Sequence, residues 1–411
     1  MALASCFALQ SCKDEPDKYE STDGVPTIYY IRPADINQKD SLLVSAYPQM
    51  TIALIGDNLR SIKEMYFNDL PAVLNSSYMT DHTLIVNVPK DIPGTVNDKI
   101  TMITADGQTV YYDFHVIIPA PTIATFSNEW AAPGQEVTLY GNYFVDDPNV
   151  PIAVNFPGDI TVTDFTSKSL SALTFLMPNC TEEGEISVTS IYGTTKATFH
   201  YRESRGMILD WDGTRGGLAL ANGWRQGDKI KVNDGTGIDG AFVRFTGALT
   251  ADGWSTSEDA WCFNYWADGT ATAIKDMESC KDLFAKYDIS QLGIKFECRV
   301  PASMPWQSTA LQVMLTKEGQ SGTNSYYWDE TFPRALWSGY ASSGSYDTGG
   351  EWTTITIPLT SFTKTHTGEI CKTDFSADYL GGLTFYFMGG PEGVAGTLQM
   401  DVDNIRIAPT E

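Results

Sequence analysis

Thr51-Ile-Ala-Leu-Ile-Gly56-Asp-Asn58-Leu59 is echoed further along the chain by Val137-Thr-Leu-Tyr-Gly141-Asn142-Tyr-Phe144. Each stretch is a short apolar-rich run that ends at a glycine, the pattern of a strand bounded by a turn. Working outward, the echo continues. Glu64-Met-Tyr-Phe67 corresponds to Ile152-Ala-Val-Asn-Phe156, and Thr83-Leu-Ile-Val-Asn-Val-Pro89 to Ala172-Leu-Thr-Phe-Leu-Met-Pro178. The hairpin Lys99-Ile-Thr-Met-Ile-Thr-Ala-Asp-Gly107-Gln-Thr-Val-Tyr111 corresponds to Glu185-Ile-Ser-Val-Thr-Ser-Ile-Tyr-Gly193-Thr-Thr-Lys-Ala197. Two copies of a small antiparallel sandwich, at 26–118 and 119–203, account for this repeat. Pro119-Ala-Pro121 joins them, and proline there limits bending.

From 204 to 411 the pattern changes. Met207 to Trp211, Ala241 to Phe245, Gly293 to Val300, Leu311 to Leu315, Trp352 to Pro358, Leu383 to Phe387 and Leu398 to Ile407 read as strands, and only Met277 to Tyr287 reads as a helix. That series predicts a larger jelly-roll sandwich, so the whole chain is expected to be all-β. Nine of its ten tryptophans follow Gly206. A single sandwich core does not need so many, and an exposed indole face stacks on the C–H face of a sugar ring.

A formal net charge of −24 argues against nucleic acid, which demands a basic stripe. A neutral ligand fits better. Of the seven cysteines, Cys6 and Cys12 lie at the amino terminus, and the other five form no CxxC or Cys/His pattern that would suggest zinc. Gly235-Thr-Gly237-Ile-Asp-Gly240 spells a dinucleotide fingerprint but leads into a strand, so no helix N-terminus would receive the phosphate. The four histidines stand apart, without a nucleophile elbow or HExxH.

These motifs carry a resemblance. The strand-Gly-Asn-x-Phe element, the strand ending in proline and the Gly-turn hairpin resemble immunoglobulin-like IPT/TIG domains. Asp403-Asn-Ile-Arg-Ile407, the stretch Trp352 to Phe362, and Ile294-Lys-Phe296 leading to Pro305-Trp306 resemble the carbohydrate-binding-module-like domain that ends the SGBP-B type of Bacteroidetes surface glycan-binding protein. Leu9-Gln-Ser-Cys12 resembles a lipobox, and Lys13-Asp-Glu15 the export signal that follows it in such lipoproteins. The resemblance implies a signal over 1–12, a lipid on Cys12, a tether over 13–25, and a place on the outer leaflet of the outer membrane beside a starch-utilisation-type transporter. It further implies a monomer that captures polysaccharide without cleaving it. A flat aromatic platform suits a β-linked glucan, with mixed-linkage glucan, xyloglucan and β-1,3-glucan ahead of β-mannan.

The platform is expected from aromatics in loops: Trp306 after Pro305, Tyr327 and Trp328 among turn-forming residues, and then Trp337. The Tyr327-Trp328 pair and an upstream tryptophan also resemble the platform of the family's xyloglucan-binding members. Gln307, Asp329, Glu330 and Arg334 are the expected polar contacts to sugar hydroxyls. Trp211 and Trp352 are expected in the core, whereas Trp254, Trp261 and Trp266 stay open. No cofactor is required. Asp210, Asp212, Asp401 and Asp403, paired by alternation in the two terminal segments, are a candidate calcium set. Two other functions remain at this stage: a β-sandwich glycosidase, which needs only two carboxylates roughly 5 to 9.5 Å apart, and a surface adhesin for host protein.

Overall fold

The computed structural model describes residues 22–221, 230–249, 261–267, 272–307, 309–320, 326–387 and 396–410; Cys12, most of the tether and Trp254 lie outside them. No described helix is long and apolar enough to cross a membrane. The chain divides into two compact units, Met1–Pro119 and Ala120–Glu411.

In the first unit, β1 (Thr27–Pro33), β2 (Thr51–Asp57), β3 (Ile62–Phe67), β4 (Thr83–Asn87), β5 (Lys99–Thr104) and β6 (Thr109–Asp113) make two antiparallel sheets, ordered β1-β2-β4 and β3-β5-β6. Ile31, Leu54, Phe67 and Met102 fill the space between them. The repeated glycine has a steric cause. A Cβ at Gly56 would stand 1.8 Å from the Thr27 carbonyl oxygen, and one at Gly141 would stand 1.9 Å from that of Thr122. Two residues on, Asn58 (φ 56°) and Tyr143 (φ 59°) both take the left-handed conformation, so the two copies share a backbone turn rather than the asparagine itself.

The second unit begins with the second sandwich: β7 (Thr122–Phe126), β8 (Glu136–Asn142), β9 (Ala153–Phe156), β10 (Ile160–Val162), β11 (Ala172–Leu176), β12 (Gly184–Ser190) and β13 (Gly193–Tyr201). Its sheets run β7-β8-β11 and β10-β9-β12-β13 around Leu139, Val154, Phe175 and Phe199. The larger sandwich follows. It comprises β14 (Met207–Leu209), β15 (Phe242–Leu249), β16 (Cys262–Tyr265), α1 (Glu278–Lys286), β17 (Leu292–Arg299), β18 (Leu311–Thr316), β19 (Arg334–Trp337), β20 (Thr353–Pro358), β21 (Gly382–Tyr386) and β22 (Gly396–Pro409). One sheet runs β15-β22-β17-β20 and the other β16-β21-β18-β19. Phe245, Phe263, Phe296, Val313 and Phe385 close the core between them, together with Trp211 and Trp261. All five described cysteines are buried.

The second and third sandwiches meet through buried charge. Glu129, in the β7–β8 connection, accepts from Lys295 Nζ at 2.6 Å and from Arg406 at 2.7 Å. Arg406 also forks onto Glu297, at 2.7 and 3.0 Å. All four side chains are at most 2 % exposed. Glu129 N–H donates to Thr354 Oγ1, Thr354 Oγ1 to Glu297, and Thr354 N–H to Ser127 C=O. Desolvation opposes ionisation of Glu129, but Lys295 and Arg406 hold its carboxyl below the usual range; burial pushes Glu297 up to about 7. Two anions and two cations balance. Removing one member strands the others in a dry seam, so Glu129→Ala is expected to cost the second unit about 3–5 kcal/mol, read as a lower denaturant midpoint.

Candidate functional site

The sheet β16-β21-β18-β19 has two unlike faces. Phe263, Val313, Ala335 and Phe385 point into the core, and the alternate residues Cys262, Asn264, Gln312, Thr384, Tyr386 and Arg334 point the other way. In register, Cys262 lies opposite Tyr386 and Tyr386 opposite Gln312, while Asn264 lies opposite Thr384 and Met314 opposite Arg334. This outward face is buried and polar. Asn264 has no hydrogen-bond partner for either amide atom among the described residues, and Thr384 Oγ1 has none. Buried polar groups left in that state point to water or ligand atoms as their partners.

Arg334 organises the edge of this face. It is fully buried, and it donates to Tyr386 Oη at 2.6 Å, Gln312 Oε1 at 3.1 Å and the Tyr327 carbonyl at 2.9 Å. Its guanidinium also lies 5.5 Å from the Tyr327 ring centroid. The expectation of Arg334 as a direct sugar contact is therefore corrected: it is covered on the outward face of β19 by Tyr327, Gln312 and Tyr386, where it fixes the backbone that carries Tyr327 and Trp328. Tyr327 is 6 % exposed and packs on Tyr386 and His366. Trp328 is 62 % exposed and stands edge-to-face on Tyr327 and His366, with centroids 4.4 and 5.0 Å apart. Among the described residues it is the one exposed tryptophan.

The other expected aromatics are elsewhere. Trp306 is fully buried, its indole N–H donating to Thr309 C=O at 3.1 Å and its rings packed on Trp337, Tyr340 and Phe387. The Pro305 turn is one side of an antiparallel bridge from Trp306 to Tyr346, and that bridge drives the indole inward. Trp306 is thus a core residue, not a sugar platform. Trp337 is half-buried on the core side of β19, against Phe296 and Trp306. Gln307 is exposed beside Trp306, apart from the Arg334 network. Asp329 closes its own turn by accepting from Thr331 N–H and Oγ1, while exposed Glu330 reaches Lys372 at 3.5 Å. Trp266 is half-buried, and so is Trp352, against its expected place in the core.

The four aspartates proposed for calcium do not assemble. Asp401 is taken by Arg244 and Arg299, Asp210 accepts four successive backbone N–H groups from Asp212 to Arg215, and Asp212 caps Ala241. Burial, then Asp239, pushes the Asp403 carboxyl well above the usual range. Among the described residues the one group of three ligand-type side chains within 4.8 Å is Glu183, His200 and Glu203, and Arg205 already pairs with Glu203.

Residues 201–409 match the family model of the xyloglucan-binding domain of surface glycan-binding protein B. The chain belongs to that family. The family is one of binding proteins, not enzymes. A crystal structure of surface glycan-binding protein B from Prevotella bryantii is 35 % identical, covering 95 % of this chain and all of that one with a TM-score of 0.79. The family member from a complex xyloglucan utilization locus of Bacteroides uniformis is 17 % identical over 94 % of this chain and all of its own, with a TM-score of 0.46. An IPT/TIG domain-containing protein of Bacteroides ovatus is 28 % identical over 44 % of this chain; the match spans 39 % of that longer relative. Sequence reasoning missed Gln312, Tyr386 and His366. Alternation in Leu311-Gln-Val-Met-Leu-Thr316 does announce a polar face, but not what adjoins it.

Burial, and then Arg334, lower the His366 pKa below 6.5, so the ring under Trp328 is neutral at pH 7. The unfolded chain takes up this proton first; the contribution of neutral His366 is present above pH 6.5 and is lost as pH falls towards the folded value. An NMR titration should place the His366 midpoint below 6.5, with the denaturant midpoint of the native second unit falling relative to that of His366→Gln over that interval, while Glu297, raised to about 7, acts equally in both.

Proposed function

We propose that this chain is a non-catalytic polysaccharide-binding lipoprotein, held at the cell surface by lipid on Cys12, that captures a neutral β-linked glucan through the Trp328 face. Xyloglucan is the first choice, because the matched family model is a xyloglucan-binding domain. One observation carries the reading: Trp328, the one exposed indole among the described residues, stands on a support built to keep it in place. Tyr327 and His366 fix its edges, and Arg334 pins the backbone beneath, so little rotamer entropy remains to be lost when a sugar ring stacks on it. Glu330, exposed two positions from Trp328, supplies a partner for ring hydroxyls. The two N-terminal sandwiches act as spacers between the membrane and this module, beside a transporter of the starch-utilisation type.

Affinity electrophoresis of the chain after Cys12, in gels carrying xyloglucan, mixed-linkage glucan, β-1,3-glucan or β-mannan, tests this directly. Retardation by xyloglucan is expected, with Trp328→Ala weakening it at least ~10-fold. Migration unchanged in every gel, or retardation indifferent to Trp328→Ala, would overturn the reading.

A further inference from the structure

The seam between the second and third sandwiches opens on one side into a groove of about 550 Å³, within the size range of a small-ligand site. Asn128, Gln135 and Glu136 line it from the second sandwich, and Asp347, Glu351 and Trp352 from the third. Resting on the glucan-binding reading above, we propose that this groove is a second contact site for a neutral glycan, separate from the Trp328 face.

The groove is built rather than left over. Asn128 Nδ2 donates to the Trp352 carbonyl at 2.8 Å and to Gln135 Oε1 at 3.2 Å, while Gln135 Nε2 donates to the same Trp352 carbonyl at 3.3 Å. These amides pin the two walls together a few residues from the buried Glu129 network. The floor is aromatic. The half-buried Trp352 indole has the Arg299 guanidinium 4.6 Å from its centroid, the Phe242 ring at 5.5 Å and its N–H on Thr236 C=O, and its remaining surface lines the groove with Tyr346. Tyr346 is itself held by the rings of Trp306 and Trp337.

The polar lining selects the ligand class. Three carboxylates, Glu136, Asp347 and Glu351, are exposed, and among the described residues no lysine or arginine lines the groove. Carboxylates and amides accept from and donate to pairs of sugar hydroxyls, whereas the same charges repel uronic acids and phosphates. They are not a metal site, since none belongs to the one ligand-type cluster among the described residues. Strand β19 joins the two sites, carrying Arg334 under Trp328 at one end and Trp337 against Tyr346 at the other, roughly 10 Å along the strand at about 3.3 Å per residue. A polymer that occupies both gains by effective concentration, even if each contact alone is weak.

Affinity electrophoresis on polymeric xyloglucan would compare the native chain, Trp328→Ala, the groove variant Glu136→Ala/Glu351→Ala, and the combination of all three. Glu136 and Glu351 are surface residues, so an unchanged denaturation midpoint is expected and serves as the folding control. The groove variant should bind the polymer several-fold more weakly, and the combined variant should lose the residual retardation that Trp328→Ala retains. A groove variant indistinguishable from the native chain, in both backgrounds, would overturn the second site and leave the Trp328 reading standing. Weakening by the groove variant alone, with Trp328→Ala silent, would overturn the Trp328 reading and keep the groove. No binding by the native chain to any neutral glucan would overturn both.

Discussion

Four charges buried between two sandwiches govern the second unit. Glu129 stands in a connection of the smaller sandwich, while Lys295, Glu297 and Arg406 stand on β17 and β22 of the larger one, and each ion has its counter-ion within 2.7 Å. Taking such groups out of water costs several kcal/mol apiece, so the arrangement contributes less to net stability than hydrophobic residues of equal volume could. Its effect is on geometry: any other docking angle leaves at least one charge dry and unpaired. The neighbouring hydrogen bonds from Ser127, Asn128 and Thr354 follow the same docking. The module's faces are thereby held in one orientation relative to the second sandwich.

Within the module, a second buried cation does local work. No carboxylate among the described residues pairs with Arg334, which relies on Tyr386 Oη, Gln312 and a carbonyl for solvation. An uncompensated guanidinium in a dry site is costly, and the strongly acidic chain around it lowers that cost by the sign of its overall field. The same charge, second to burial, keeps His366 neutral. Trp328 thus rests on an uncharged imidazole and a tyrosine ring, an apolar support that leaves the indole exposed without leaving it loose.

The all-β architecture was legible because its signals are local. Period-two alternation, the glycine whose place a Cβ could not share with a neighbouring carbonyl, and the hairpin glycines all lie within single strands or turns. Trp211 in the core and Trp328 at the surface were legible; the placement of Trp306 and Trp352 was not, because it depends on pairings distant in sequence. Nothing near Pro305-Trp306 announces a bridge to Tyr346, and nothing near Trp352 announces that Asn128 will bond its carbonyl. Lys295 and Glu297 show the limit most clearly. Alternation in Gly293-Ile-Lys-Phe-Glu-Cys-Arg separates an apolar face from a charged one, and a charged face ordinarily meets water. Here another sandwich covers it, and the covering charge comes from Glu129, more than 160 positions earlier.

That covering bears on how the proposed Trp328 contact could suffice. One stacking contact on a flat face yields little affinity, and a deep cleft would gain more per site but would have to admit a chain end or a bent segment. An internal stretch of a long polymer cannot enter such a cleft; it can lie across a surface. For a binder of polymers, shallow contacts fixed rigidly relative to one another exploit the ligand's own length, because each added contact becomes intramolecular once the first is made. Rigidity between contacts then matters more than depth at any one of them, and the buried quartet provides it where the groove beside Trp352 is formed by two sandwiches rather than one.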